Sequence, residues 1–464
     1  MTNVQSKLFT TVSCTCKEFQ HPWTEKCVNA SAGLLLAATP YCLRIYTVVY
    51  ALSLLMRHRI PTLDDLKKTL KGIVQSTGFL VTNSITFILY NCLLRNLIGL
   101  YYQPTVAFLP AFLASLTAII VERPARRPLL ALYVANVATE TIWHMAESRN
   151  WVRSMPHGQT ALFGISISIL LYLYRLGLHK TSCKDSLFPI LRIFVGKSEE
   201  GPLIQSHSPA SSTENVTPAN LRSRRPLDFR SISCLVQIYS RFVDAMKSKH
   251  DSCSHKKPCL HYAVVGGLKP FIGGISLQVA LKLVINIKKI FQLKMNWRKQ
   301  IFDKSTLKLG IFMGSFSFLY KAVSCILRHS FGHDDPRFAI PAGLIGSLAF
   351  TQYPDVTVAL YVMWKMLQVV YNLGIEKKMV PKVSGFTIFL YCFSTAMLFH
   401  AGILEPKTIR PSYYKFLQAI SGERLGNFNF VPLDVYGKNT SRNAKEVLDS
   451  LHFTPNMPKF PFAF

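Results

Sequence analysis

Apolar stretches of roughly 18–22 residues recur along this chain, the length a helix needs to cross a hydrocarbon layer of about 30 Å. No other feature narrows the fold as much. A backbone in lipid has no water to bond to, so each run has to close its own hydrogen bonds as a helix. Five candidate spans lie near Gly33–Met56, Gly72–Leu94, Pro104–Val121, Leu129–Ala146 and Ala161–Gly177. Five more lie near Tyr262–Ile285, Leu307–Leu327, Phe338–Phe350, Val356–Leu373 and Gly385–Leu404. Phe338–Phe350 is short, and is expected to be extended at its ends, tilted or partly buried in protein. Only 17% of the 464 residues are charged, against about 25% for a soluble domain. The expected fold class is all-α: a polytopic helical membrane protein of about ten spans in two homologous halves.

The formal net charge is +29, and it sits mainly between the apolar runs, notably from Lys282 to Lys308. Basic clusters beside a membrane attract anionic headgroups at roughly 1 kcal/mol per residue. A nucleic-acid partner would call for a soluble basic domain, which the pattern lacks; the expected partner is a bilayer with anionic headgroups. The first apolar run follows about thirty polar, cysteine-bearing residues rather than a short basic region with a cleavage site. The chain ends Phe462-Ala463-Phe464, not in a Ser-Lys-Leu peroxisomal address, so targeting information is expected to be internal.

The halves resemble each other. C-L-L-R-N-L-I-G (Cys92–Gly99) answers C-I-L-R-H-S-F-G (Cys325–Gly332). Leu109-Pro110-Ala111 answers Ile340-Pro341-Ala342, and Ala131–Val134 recurs as Ala359–Val362. The matches are collinear, with offsets drifting only from 233 to 228 residues, which implies an internal duplication. Five spans per half would make the repeat inverted, as in many transporters; one interfacial span per half would make it parallel. Basic loops after the first span (Arg57, Arg59, Lys67, Lys68, Lys71) and after the sixth leave both arrangements open.

The expected organisation is a Cys/His-bearing segment over 1–29, a first membrane repeat over 30–196 and a Ser/Pro-rich linker over 197–232. An amphipathic helix and a second Cys/His segment fill 233–261, a second repeat 262–404 and a tail 405–464. On the amphipathic segment Leu235, Ile238, Tyr239, Phe242 and Met246 share a face, fitting a helix in the headgroup plane or one packed on a small soluble core.

In lipid, helices associate by close approach through small residues. Gly310 and Gly314 form G-x-x-x-G on the seventh span, and Ala342, Gly343 and Gly346, with Ser347, a small face on the eighth. Asp334 and Asp335 precede that span, where either can cap its N-terminus. Ionisable residues inside spans are expected to face inward. Asn136, Glu140 and His144 make a polar stripe on the fourth span; Tyr361, Lys365, Gln368 and Asn372 make one on the ninth. Lys321 lies on the seventh, with Ser317 and Ser324. These stripes predict either a polar seam between the halves, Glu140 countering Lys365 or Lys321, or ordinary interhelical hydrogen bonding.

Cysteines and histidines introduce each half: Cys14, Cys16, His21 and Cys27, then Cys253, His255, Cys259 and His261. Such donors at short spacing can hold zinc. The signal is weak, since neither set has a C-x-x-C pair; disulfides are an alternative, free or simply packed thiols are the expectation, and no other cofactor is expected. There is no glycine-rich phosphate loop and no H-E-x-x-H, so no enzyme activity is expected. Tyr413-Tyr414 reads as an interfacial aromatic anchor, with Arg410 and Lys415 at headgroups.

Two resemblances come from these residues. Arg328, Asp334-Asp335-Pro336, Ala342-Gly343 and Gly346 resemble the mitochondrial inner-membrane import translocase family over about residues 262–373. The first half keeps Arg95 and Pro110 but lacks the acidic pair and the glycines. Across nearly the whole chain, Cys16–Cys27, Ile120–Leu130, Ala135–Thr141, Leu191–Lys197, Leu309-Gly310 with Tyr320-Lys321, and Ile409–Leu417 resemble the transmembrane protein 135 family. That resemblance implies a multi-pass protein of peroxisomal and mitochondrial membranes. It further implies a link to mitochondrial dynamics such as fission, peroxisome organisation and lipid homeostasis, with organelle-division or contact-site proteins as partners and no catalytic residues. A channel or transporter acting through the polar seam is the alternative.

Overall fold

A computed structural model describes residues 10–55, 62–178, 187–201, 252–285 apart from 254 and 256, and 304–453. The linker beyond residue 201, the amphipathic helix after residue 233, Arg57 and Arg59, and the basic segment 286–303 lie outside the described residues. The described part is almost wholly helical. Its helices are α1 (Cys27–Leu55), α2 (Leu63–Ile98), α3 (Phe108–Val121), α4 (Arg127–Ser148), α5 (Gly158–Arg175), α6 (Leu187–Val195) and α7 (Cys259–Ile285). Next come α8 (Lys304–Phe331), α9 (Ala339–Ser347), α10 (Val356–Glu376), α11 (Phe386–Leu404), α12 (Pro411–Ile420) and α13 (Thr440–Ser450).

Each of the ten apolar runs is met by a helix. Among the described residues, seven segments are long and apolar enough to cross a membrane: α1, α2, the stretch Gln103–Val121 that holds α3, α7, α8, α10 and α11. Their apolar side chains are only partly covered by protein; Leu36, Val48, Leu268 and Ile272 lie open. A water-soluble fold would hide such surfaces, whereas a lipid-facing helix exposes them. The run over Phe338–Phe350 ends early as an α-helix. After Ser347 the chain tightens into a 3₁₀ turn, Leu348–Gln352.

The helix boundaries have local causes. Thr62 and Asp65 form a reciprocal cap at the start of α2. At its end Gly99 adopts φ +80°, and its N–H bonds the Arg95 carbonyl at 2.9 Å. Gly332 repeats this after α8, with φ +70° and a 2.9 Å bond to the Arg328 carbonyl. Only glycine takes up this left-handed turn without a steric cost.

The chain packs as two compact units, Met1–Ser154 with Val383–Phe464, and Met155–Lys382. In the first, α1 packs on α2, α2 on α3, and α11 on both α3 and α4. In the second, α7 packs on α8, α8 on α9, and α5 on both α9 and α10. The two plans match helix for helix, with one exchange. The fifth helix of each sequence half completes the four helices of the other half. Phe386, where α11 begins, follows Gly158, where α5 begins, by 228 residues, so the exchanged helices are themselves duplicates. Sequence duplication and packing therefore divide the chain differently.

Small residues set the close contacts within the second unit. A Cβ on Gly310 would lie 2.9 Å from the Phe271 carbonyl oxygen, and one on Gly314 2.7 Å from the Phe271 Cβ. Gly343 lies against Ser168 of α5, and Gly346 against Phe316 of α8; Ala342 is fully buried beside them. In the first unit the tail joins the core. Phe428 packs edge-on against Phe19 at 5.6 Å, and Phe19 against Tyr101 at 5.5 Å. Tyr413 and Tyr414 are buried in that core. They are not the exposed interfacial anchor the sequence suggested, because α12 turns back onto α1 and α2.

Candidate metal centres

The arm before α1 folds over the end of the α1–α2 hairpin. Thr11 and Val12 pair antiparallel with Tyr102 and Tyr101. Arg95 donates from Nε to the Cys14 carbonyl at 2.8 Å and from Nη2 to the Ser13 carbonyl at 2.9 Å. A single helical turn over Cys16–Phe19, boxed by Thr15 and Glu18, then directs the chain inward. Cys16, His21 and Cys27 thereby converge on Cys92, near the end of α2. The Cys16 and Cys27 sulfurs are 3.5 Å apart, and His21 Nε2 is 3.6 Å from the Cys92 sulfur.

The second unit repeats this with different arm spacing. Cys253, His255 and Cys259 converge on Cys325, near the end of α8. The Cys253 and Cys259 sulfurs are 3.7 Å apart, and His255 Nε2 is 3.3 Å from the Cys325 sulfur. Ser252 fixes this arm, donating to the Gly332 carbonyl at 2.6 Å. In both clusters the four potential ligand atoms lie within 4.8 Å of one another. In both, the histidine Nδ1 faces a backbone carbonyl: Thr24 O at 2.9 Å for His21, Lys257 O at 2.6 Å for His255. That bond places the ring proton on Nδ1 and turns the Nε2 lone pair toward the thiols.

The surroundings differ. Tyr262 stacks on His255 with ring centroids 4.3 Å apart, and its hydroxyl donates to Glu199 at 3.2 Å. Arg328, three residues after Cys325, holds Glu199 through two bonds of 2.9 and 2.5 Å and donates from Nε to Asp334 at 2.9 Å. Arg175 from α5 closes the network by pairing with Asp334. Burial pushes the Asp334 carboxyl up, but the hydrogen bond from Arg328 and the charge of Arg175 outweigh it and hold it below the usual range. Asp335, not Asp334, supplies the cap, accepting from Arg337 N at 2.7 Å. The first half has no acidic pair, and Arg95 serves backbone carbonyls instead.

Residues 13–147 match the family described as the N-terminal cysteine-rich region of Transmembrane protein 135. Over that stretch the chain is similar to the transmembrane protein 135 family. The matched stretch of this family contains all four members of the first cluster, and the second cluster repeats the same donor set beyond it. No solved structure matches the chain.

Of the donors the sequence singled out, Cys14 and His261 belong to neither quartet, and Cys92 and Cys325 replace them. The signal was present: these two cysteines open the duplicated C-x-L-R segments. They were missed because they lie 65 and 66 residues beyond Cys27 and Cys259.

The polar stripes find partners within their own units. Within the first unit Glu140 pairs with Arg410. The cause is α11, which packs on α4 and delivers the start of α12 beside Glu140. Glu140, His144 and Arg410 line an open cleft of about 430 Å³, and His144 lies 3.5 Å from Glu147. Asn136 is buried on α4. Lys365 is buried and donates to Gln368 at 3.0 Å; Tyr361 is half-buried and Asn372 exposed on the same helix. Lys321 donates to Ser317 Oγ at 3.0 Å and the Gly266 carbonyl at 3.1 Å.

Proposed function

We propose that this chain is a non-enzymatic scaffold or regulator in peroxisomal and mitochondrial membranes, acting on mitochondrial fission, peroxisome organisation and lipid homeostasis. The likeness of residues 13–147 to the transmembrane protein 135 family suggests the organelles and the processes. The structural observation in support is that the ionisable groups within the helices are answered close by: Glu140 by Arg410, Lys365 by Gln368, Lys321 by Ser317 and Gly266. Groups paired or hydrogen-bonded in this way suit a fixed bundle rather than a path for solute. Its partners would be anionic headgroups and organelle-division or contact-site proteins, with no role for nucleic acid.

Cells depleted of the protein and re-supplied with it test the reading. Mitochondrial length and peroxisome number should change on depletion and return on re-supply, with the protein fractionating with both organelles. Unchanged organelles, or a protein confined to another membrane, would overturn it. A conduit is the second reading, favoured by the burial of Lys321 and Lys365 in membrane-crossing helices. Solute flux in proteoliposomes that Lys365→Ala abolishes would establish the conduit in place of the scaffold.

A further inference from the structure

We propose that each unit carries a structural zinc ion held by three thiolates and one imidazole: Cys16, His21, Cys27 and Cys92 in one, Cys253, His255, Cys259 and Cys325 in the other.

The distances carry the first part of the argument. A tetrahedral centre with Zn–S of about 2.3 Å and Zn–N of about 2.05 Å sets neighbouring sulfurs about 3.8 Å apart and sulfur and nitrogen about 3.6 Å apart. The sulfur pairs stand at 3.5 and 3.7 Å, and the sulfur–nitrogen pairs at 3.6 and 3.3 Å. A disulfide would bring two sulfurs to about 2.05 Å and leave the third thiol and the imidazole without a task.

The donor types carry the second part. Three soft thiolates and a neutral imidazole suit zinc and not calcium or magnesium, which take oxygen ligands. Four protein donors leave no open position, which is the hallmark of a structural rather than a catalytic centre. His21, Cys92, Cys253, His255 and Cys325 are buried and Cys16, Cys27 and Cys259 half-buried, so each site is largely shielded from solvent. Each histidine is oriented by a backbone carbonyl, the outer-shell contact that zinc-bound imidazoles commonly make.

Duplication carries the third part. The order Cys–His–Cys–Cys is kept, the third donor is in both cases the first residue of a membrane-crossing helix, and the fourth lies near the end of the next. The arm spacing is not kept: Cys16, His21 and Cys27 are separated by five and six positions, Cys253, His255 and Cys259 by two and four. Two arms of different length that present the same four donors share a requirement for the donors rather than for the loop. Zinc at these positions ties the arm and both helices of the hairpin together at its open end. Assembly deprotonates three thiols per site, and their protons pass to solvent as the Zn–S bonds form.

Metal analysis of the purified full-length protein is the test. Two zinc ions per chain are expected. Cys92→Ser and Cys325→Ser should each lower the content to one, and the double substitution should remove both. Cys14→Ser, Cys42→Ser and His261→Ala should keep two. Because a ligand substitution can also unfold a unit, the unaltered chain supplies a second readout. Cobalt exchanged into it should give the intense visible bands of tetrahedral thiolate coordination, and chelation should expose three further reactive thiols per site. A metal-free protein whose Cys27 and Cys92, or Cys259 and Cys325, are joined as disulfides would overturn the proposal. So would two zinc ions retained in the Cys92→Ser, Cys325→Ser double variant.

Discussion

Arg328 grips Glu199 with both arms of its guanidinium, and neither side chain is exposed to solvent. Two desolvated charges are tolerable only because each is the other's partner and Asp334 and Tyr262 complete their hydrogen bonds. Removing one partner strands the other. Glu199→Ala is expected to destabilise the second unit by about 3–5 kcal/mol. Pairing it with Arg328→Leu should recover part of that loss. Thermal unfolding of the purified protein measures both; equal damage from the single and the double variant would contradict the pairing.

Asp334 gives the network a pH dependence. Its carboxyl is held below the usual range, so its contribution is present above the unfolded carboxylate pKa and is lost as pH falls through the folded value. Asp334→Asn should therefore be less stable than the parent near neutral pH. The two should converge as pH drops below about 4. Melting temperatures of both proteins across an acid series test the sign; a gap that widens toward acid would refute it.

Glu140 and Arg410 lie in a more open setting, with 15% and 26% of their side chains exposed. Water screens such a pair, so Glu140→Ala should cost only about 1 kcal/mol. The charge swap Glu140→Arg with Arg410→Glu should restore most of what either reversal alone removes. Swapping Glu140 against Lys365 should restore nothing. A double-mutant cycle in thermal stability distinguishes the two assignments.

The seam between α7 and α8 depends on missing side chains. Gly310→Leu or Gly314→Leu would drive atoms into Phe271 and Ile275 and should cost about 1–3 kcal/mol. Gly273 has nothing within 4 Å of the position a Cβ would take, so Gly273→Ala should be silent. Tm values for the three proteins, together with cross-linking of cysteine pairs placed across α7 and α8, report whether the helices separate.

The sequence by itself determined the helices, since apolar length and the lack of backbone partners in lipid leave a run such as Leu307–Leu327 no other regular structure. It also determined the duplication, carried by segments such as C-L-L-R and C-I-L-R, and the paired Cys/His arms, because these are local strings. What only the tertiary structure decided is which distant groups meet: Cys92 with Cys16, Arg410 with Glu140, and the fifth helix of each half with the other half's four. Periodicity names the buried face of a helix but not the helix that covers it. In a duplicated chain α5 and α11 present similar faces, and the choice between two equivalent docking sites rests on packing and connection, which no local pattern encodes.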